Sequence, residues 1–85
     1  MNRYTVLWSH DAEDQLADAW LQAQDRQAVT VAQARIDQEL AADAETKGID
    51  LGEGLRLLKV PPLKAFFEVS EPDRIVRVTA IGTLS

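Results

Sequence analysis

Four cationic side chains in the last third of the sequence are the residues best suited to bind an anion. They are Arg56, Lys59, Lys64 and Arg77. Guanidinium and ammonium groups donate hydrogen bonds to phosphate and carboxylate oxygens, so the four indicate a patch for an anionic target or an acidic partner protein. Successive strand residues point to opposite faces, so alternation does not place all four on one face of a sheet. The competing interpretation is that these cations only keep exposed strands soluble and blunt the sheet edges.

Charge is distributed unevenly along the chain of 85 residues, whose formal net charge is −5. Residues 1–54 hold four basic against eleven acidic side chains, whereas residues 55–85 hold five against three. The acidic total disfavours non-specific binding to a nucleic-acid backbone. A local basic patch can still bind an anion or an acidic partner.

The composition predicts one globular, cytoplasmic domain covering residues 1–85. A hydrophobic fraction of 46% is too high for disorder, and the length fits a single domain. The sequence has no cysteine, which excludes a disulfide framework and fits a reducing compartment. No run of about 18 apolar residues is present, so no membrane span is expected. The first residues also lack the pattern of a signal peptide.

No cofactor and no metal site is predicted from the sequence. Without cysteine there is no thiolate metal site, and the helical acids are spread along both predicted helices rather than converging. The segment Lys47–Gly54 has three glycines, but no Gly-Lys-Ser/Thr follows, so it does not match a phosphate-binding loop. We expect a loop there, with Gly48 ending a helix and Gly52 and Gly54 in turns.

Hydrophobic periodicity predicts one strand, two helices and three further strands. The expected elements are a strand at Tyr4–Trp8, a helix over residues 10–23 capped by Ser9, a helix to about Ala44 capped by Asp25 or Thr30, and strands at Leu55–Val60, Leu63–Ser70 and Arg74–Ile81. This order is an α+β fold, β-α-α-β-β-β, with a helical hairpin packed on a small, mainly antiparallel sheet.

The periodicity also predicts which residues form the core. In the second helix the apolar stripe is Val29, Ala32, Ile36 and Leu40. In the last strand, alternation places Val76, Val78 and Ala80 on one face and Ile75, Arg77, Thr79 and Ile81 on the other. We expect the large aromatic side chains in the core more often than in contacts with a partner; they are Trp8, Trp20, Phe66 and Phe67.

A series of motifs over nearly the whole chain resembles the RelE/ParE superfamily of toxins from type II toxin–antitoxin modules. The motifs are Tyr4-x-Val6-x-Trp8, then Ser9, Ala12 and Leu16, then Gly54 and Arg56, then Lys64, Phe66 and Phe67, and finally Asp73, Val76 and Val78. The spacing from Arg56 to Lys64, with prolines between them, looks more like the ParE branch than the RelE branch.

The RelE branch implies a metal-free ribonuclease that cuts messenger RNA in the ribosome. On that resemblance Arg56, Lys64 and Arg77 are the catalytic candidates, since cleavage needs a base, an acid and a cation for the phosphate charge. Such members often carry a His or Tyr at the extreme C-terminus. The sequence ends Ala-Ile-Gly-Thr-Leu-Ser and lacks both, and His10 is expected on the surface of the first helix.

The ParE branch implies a non-enzymatic toxin that poisons DNA gyrase and is neutralised by a cognate antitoxin. The missing terminal His or Tyr favours this branch, with Arg56, Lys59, Lys64 and Arg77 as partner-binding residues. A ribosome-dependent endonuclease is one alternative. The other alternative is a non-toxic binding or structural module on the same fold, for which a homodimer is one form.

Overall fold

Five strands form one sheet in the computed structural model, which describes residues 3–84. The elements are β1 (Thr5–Trp8), α1 (His10–Gln22), α2 (Arg26–Asp43), a 3₁₀ turn (Ala44–Thr46), β2 (Ile49–Gly52), β3 (Leu55–Val60), β4 (Leu63–Ser70) and β5 (Ile75–Thr83). The sheet order is β1-β5-β4-β3-β2, with β1 parallel to β5 and every other pair antiparallel. The predicted α+β fold with a mainly antiparallel sheet is confirmed.

Side-chain caps define where both helices begin. The Ser9 hydroxyl accepts a hydrogen bond from the Ala12 amide at 3.0 Å, and the Asp25 carboxylate accepts one from the Ala28 amide at 3.1 Å. Each cap satisfies one amide that the first helical turn leaves free. Thr30, the other predicted cap, lies inside α2, where its hydroxyl donates to the Arg26 carbonyl at 3.3 Å.

The core lies between the helices and one face of the sheet. The predicted stripe of α2 is buried: Val29, Ala32, Ile36 and Leu40. The sheet contributes Leu58, Val60, Leu63, Ala65, Phe67, Val76, Val78 and Ile81. No helix within residues 3–84 is long and apolar enough to cross a membrane.

A short edge strand occupies part of the segment predicted as a loop. β2 pairs with β3 through Ile49 opposite Leu57 and Asp50 opposite Arg56. Its four residues are all exposed, and a segment this short between glycines was predicted as a loop because it is too brief to indicate a strand. Gly52 and Gly54 have the positive φ that turns favour, and Gly48, also with positive φ, follows the 3₁₀ turn at the end of the helical segment. A Cβ on Gly48 would collide with the Leu57 carbonyl oxygen, so the close approach of loop and strand requires glycine there.

A β-bulge at Thr79 corrects the predicted faces of the last strand. Phe67 is opposite Val78 and Phe66 is opposite Ala80, so no residue of β4 lies opposite Thr79 in the register. The extra residue shifts the alternation by one, and Ile81 rather than Ala80 joins Val78 in the core. The freed Thr79 carbonyl accepts a hydrogen bond from the Ser9 hydroxyl at 3.2 Å, which ties the start of α1 to the bulge.

The large aromatics divide between core and surface. Phe67 is fully buried, as predicted, while Trp8 and Phe66 are half-buried. The core prediction is wrong for Trp20, whose side chain is 41% exposed. The Arg26 guanidinium stacks over the Trp20 ring, 4.6 Å from its centroid. This ring is therefore covered by a cation instead of by core side chains.

Candidate functional site on the open face of the sheet

The sheet face turned away from the helices carries most of the candidate cations. We call it the open face, and the register of β3, β4 and β5 assigns to it Leu55, Leu57, Lys59, Lys64, Phe66, Glu68, Ser70, Ile75, Arg77, Ala80 and Gly82. Three of the four predicted partner-binding residues therefore share one face: Lys59, Lys64 and Arg77.

Lys59 and Lys64 stand directly opposite each other on β3 and β4. Like charges in this position repel, because the Cβ atoms of opposed residues are only about 4.5–5.5 Å apart. No carboxylate within residues 3–84 lies within 4.0 Å of either ammonium group. The pair is therefore an uncompensated positive site at the Pro61–Pro62 end of the open face, which an anion would stabilise.

The stem of Lys64 lies across the neighbouring strand at Gly82. Lys64 and Gly82 are partners in the β4–β5 register. A Cβ built on Gly82 would lie 2.8 Å from Lys64 Cε and 3.4 Å from Lys64 Cγ. The absence of a side chain on Gly82 leaves room for the Lys64 stem to lie over β5.

Arg77 lies further along the open face than the lysine pair. It is exposed and stands opposite Glu68, which is four residues from Lys64 on β4. At about 3.3 Å per strand residue, Arg77 is roughly 13 Å from Lys64 along the sheet. This separation is too large for one small anion to contact both cations. The open face therefore suits an extended ligand with at least two negative groups.

Apolar side chains fill the space between the two cationic positions. Leu57 and Phe66 are opposite each other, and Phe66 is also opposite Ala80, so the three form a continuous strip across β3, β4 and β5. All three are only partly buried. Sequence reasoning placed Phe66 in the core, although its strand parity is opposite to that of Ala65 and Phe67. This alternation along β4 was the sequence feature that could have predicted a surface position for Phe66.

Arg56 lies on the other side of the sheet from the remaining candidates. It pairs in register with the buried Phe67 and so faces the helix side. Its Nε donates to the Lys47 carbonyl at 3.0 Å, and its Nη2 donates to the Gly48 carbonyl at 3.4 Å. These bonds hold the loop before β2. The geometry thus gives Arg56 a structural contact that the sequence did not suggest, away from the open face.

Neither the single histidine nor the single tyrosine lies on the open face. His10 is exposed in the first turn of α1, as predicted, with Nδ1 at 3.2 Å from the Asp14 carboxylate. Tyr4 is buried on the helix side, and its hydroxyl donates to Glu71 Oε2 at 2.6 Å. That hydrogen bond, followed by burial, raises the pKa of Tyr4 to about 12. The open face provides cations for phosphate or carboxylate groups, but within the described chain no imidazole or phenol beside them.

A second surface lies between the two helices. A cleft of about 580 Å³ is lined mainly by apolar side chains, among them Trp8, Leu16 and Trp20, with Glu13 and Asp37 at its polar positions. Trp8 Nε1 donates to Asp37 Oδ1 at 2.7 Å, which fixes the floor of the cleft. The charge on this surface is opposite to that of the open face. No group of three or more potential metal ligands occurs within residues 3–84.

Comparison with solved structures identifies the fold. A chain of the RelBE2 toxin–antitoxin complex from Mycobacterium tuberculosis superposes with a TM-score of 0.82 at 13% identity, covering 99% of this chain and 94% of that one. A chain of the chromosomal ParDE system from P. aeruginosa gives 0.70 at 19% identity, covering 100% of both. The intact RelBE complex from E. coli gives 0.63 at 12% identity, covering 96% and 98%.

These similarities confirm the predicted resemblance at the level of the fold: the chain has the fold of RelE/ParE superfamily toxins. No protein-family model matches the sequence, and no curated protein matches it either. RelE-like and ParE-like structures both align over nearly the whole chain at low identity, so they do not separate the two branches.

Proposed function

We propose that this chain is the toxin component of a type II toxin–antitoxin module and that it acts in the cytoplasm by binding a partner, as ParE-like toxins do. The observation that carries the proposal is the open face, which combines the uncompensated Lys59–Lys64 pair and an apolar strip and, within residues 3–84, has no adjacent imidazole or phenol. The similarity to toxin structures supports the class of protein at the level of the fold, and the composition of the face favours recognition over RNA cleavage.

The cognate antitoxin would cover the open face with an acidic and apolar segment. Its apolar side chains would pack on Leu57 and Phe66, and two carboxylates would pair with Lys64 and Arg77. The separation of roughly 13 Å corresponds to about nine residues of helix or about four residues of extended chain. Steering by the cations would accelerate association, and added salt would slow it.

The cellular target in this proposal is DNA gyrase. An isolated chain should inhibit supercoiling by purified gyrase, and the antitoxin should reverse the inhibition. The matched variants are Lys59→Ala/Lys64→Ala on the open face and Arg35→Ala on α2, where the arginine is exposed and pairs with Glu39. We expect the double variant to lose inhibition and Arg35→Ala to retain it. Normal supercoiling and unchanged growth at high expression would contradict the gyrase proposal.

A RelE-like endonuclease is the second candidate, because the opposed Lys59 and Lys64 form a site that a phosphate group can neutralise. Programmed ribosomes incubated with the chain distinguish the two candidates. Cleavage of the messenger RNA that disappears in Lys64→Ala or Arg77→Ala would establish the nuclease. Cleavage that survives both substitutions would remove these residues from its mechanism.

A non-toxic binding module on the same fold predicts a third pattern. Growth, supercoiling and translation would all be unaffected, while a protein partner or a second copy still binds the open face. Light scattering of the isolated chain separates a homodimer from a monomer. A dimer that persists in Phe66→Glu would show that the second copy does not use the open face.

A further inference from the structure

Opposite charges lie on opposite sides of the sheet. The two helices, α1 and α2, together carry seven acidic side chains and two arginines. Both arginines are bound within the chain, Arg26 to carbonyl groups at the end of α1 and Arg35 to a carboxylate on α2. The helical side is therefore acidic, whereas the open face carries the lysine pair, which no carboxylate within residues 3–84 compensates.

An apolar cleft opens in this acidic surface. It is the space of about 580 Å³ between α1 and α2, which we call the helical cleft. Trp20 and Leu21, on its apolar wall, are 41% and 60% exposed. Neighbouring exposed apolar groups of this size are typical of a surface that a partner covers. Glu13 and Asp37 supply its negative charge, and within residues 3–84 no lysine or arginine lies within 4.0 Å of the Glu13 carboxylate.

The spacing between charged and apolar groups is similar on the two surfaces. On the open face, Lys64 is two strand residues from Phe66, or about 7 Å. In the helical cleft, Glu13 is about 5 Å from Leu16 and about 10 Å from Trp20 along the helix axis. A second copy whose Lys64 pairs with Glu13 would therefore place its Phe66 over the apolar wall of the cleft.

Arg77 has no acidic counterpart at the matching distance. It lies roughly 13 Å from Lys64 along the sheet, which corresponds to about nine residues of helix. The residue nine positions after Glu13 is Gln22, whose side chain is uncharged. The same end of the cleft also holds the Arg26 guanidinium over its tryptophan ring. The match therefore involves the lysine pair and leaves Arg77 out.

We propose that the helical cleft binds the open face of a second copy of this chain. In this contact the lysine pair lies beside Glu13 and Asp37, and Phe66 covers the apolar wall. Charge complementarity favours this occupant, because every copy carries both the basic and the acidic half of the contact. The contact does not depend on which other partner the open face binds.

The position of the two surfaces determines the kind of assembly. The helical cleft and the open face lie on opposite sides of the sheet, so the contact joins two different surfaces head to tail. Each added copy then leaves one open face and one helical cleft unoccupied, and growth continues beyond a dimer. Added salt weakens the contact because its charges are near the surface. Any partner that occupies the open face ends the growth.

Light scattering and sedimentation of the isolated chain test the contact. We expect the mean mass to rise with concentration past that of a dimer and to fall on addition of salt. Phe66→Glu, on the open face, and Leu21→Glu, in the helical cleft, should each be monomeric alone. An equimolar mixture of the two variants should form a dimer and nothing larger, since it retains one intact surface of each kind.

The cations provide a matched pair of variants. Lys64→Gln should lower the association constant of the chain for itself about fivefold, the effect of losing one surface ion pair. Arg77→Gln should leave that constant unchanged. The acidic antitoxin segment proposed above pairs with both cations, so both substitutions should weaken its binding. Self-association and antitoxin binding can therefore fail independently of each other.

Three results would overturn the head-to-tail contact. The first is a parent chain that stays monomeric at every concentration, and the second is a mixture of the two variants that forms no dimer. The third is a dimer that Phe66→Glu abolishes and Leu21→Glu retains, which would mean that two open faces bind each other. Circular dichroism checks that each variant folds. If Phe66→Glu does not fold, Lys59→Glu/Lys64→Glu replaces it in the mixture.

Discussion

Lys64 lies flat across Gly82, its partner on the adjacent strand, so closely that a Cβ on Gly82 would be 2.8 Å from Lys64 Cε. The contact involves the far end of a flexible side chain. A methyl group at Gly82 would therefore displace the lysine and leave the backbone in place. The glycine thus sets the position of a charge on the open face.

Gly82→Ala should weaken antitoxin binding with little change in stability. We expect Lys64→Ala to cost about 2 kcal/mol of binding free energy if its ammonium pairs with a buried carboxylate. Gly82→Ala should cost less, in the same direction, and should change the free energy of unfolding by no more than about 0.5 kcal/mol. Calorimetric titration with the antitoxin measures both. Thr83→Ala, at the exposed end of β5, is the control. Equal affinities for Gly82→Ala and the parent would show that the lysine position is unimportant.

Arg56→Ala should lower the free energy of unfolding and leave the affinity for the partner unchanged. The substitution removes the donors to the Lys47 and Gly48 carbonyls, and hydrogen bonds of a charged group are worth about 1.5–3 kcal/mol. Urea unfolding measures the loss, and hydrogen exchange should show it concentrated around β2. Lys59→Ala, on the same strand but on the open face, should behave in the opposite way. An unchanged unfolding midpoint with lost partner binding would make Arg56 a binding residue.

Ser9→Ala should cost more than Asp25→Ala, although both remove a helix cap. Loss of an N-cap costs about 1 kcal/mol. Ser9 additionally donates to the Thr79 carbonyl in the bulge at 3.2 Å, whereas within residues 3–84 the Asp25 side chain makes the cap bond alone. We expect a total of about 2 kcal/mol for Ser9→Ala. Equal losses in thermal or urea unfolding would mean that the bond to the bulge contributes nothing.

The single tyrosine allows a direct test of its raised pKa. Absorbance at alkaline pH reports only Tyr4, and its ionisation should be centred near the pKa of about 12 in the folded chain and near 10.0 in the unfolded chain. The shift contributes stability that is complete below pH 10 and is lost as the pH rises towards 12. Glu71→Gln keeps an acceptor but removes a charge, so it should lower the midpoint. A midpoint at 10.0 in the folded chain would contradict the Tyr4–Glu71 bond.

Local sequence patterns were sufficient to predict the fold. The bounds of β3 and β4 match the prediction, because each strand is rich in apolar residues and ends at a proline or acidic turn. The Ser9 cap and the stripe of α2 were also predicted, since both follow from spacing within a few residues. Pairing between distant residues determined the rest: β2 is a fully exposed strand of four residues that forms by pairing with β3, and so short a segment is not predictable as a strand.

The site was predicted less completely than the fold. Arg56 and Lys59 are three residues apart on one strand, so alternation predicts that they lie on opposite faces of the sheet. The sequence does not indicate which of those faces the helices cover. The bulge at Thr79 has no marker in the sequence, and it moved Ala80 to the open face and Ile81 to the core. The role of Gly82 depends on a cross-strand neighbour. Each of these features arises from residues that are distant in the chain and adjacent in the sheet.

The parallel pairing of β1 with β5 has a consequence for how the chain is made. β5 is the last strand in the described sequence, yet it lies between β1 and β4 and also contacts α1. A growing chain that has not passed Ile75 leaves the edges of two strands unpaired and one side of α1 without its support. The sheet can therefore be completed only after β5 has left the ribosome. A translation pause before this strand would extend the lifetime of an unfolded, degradable intermediate.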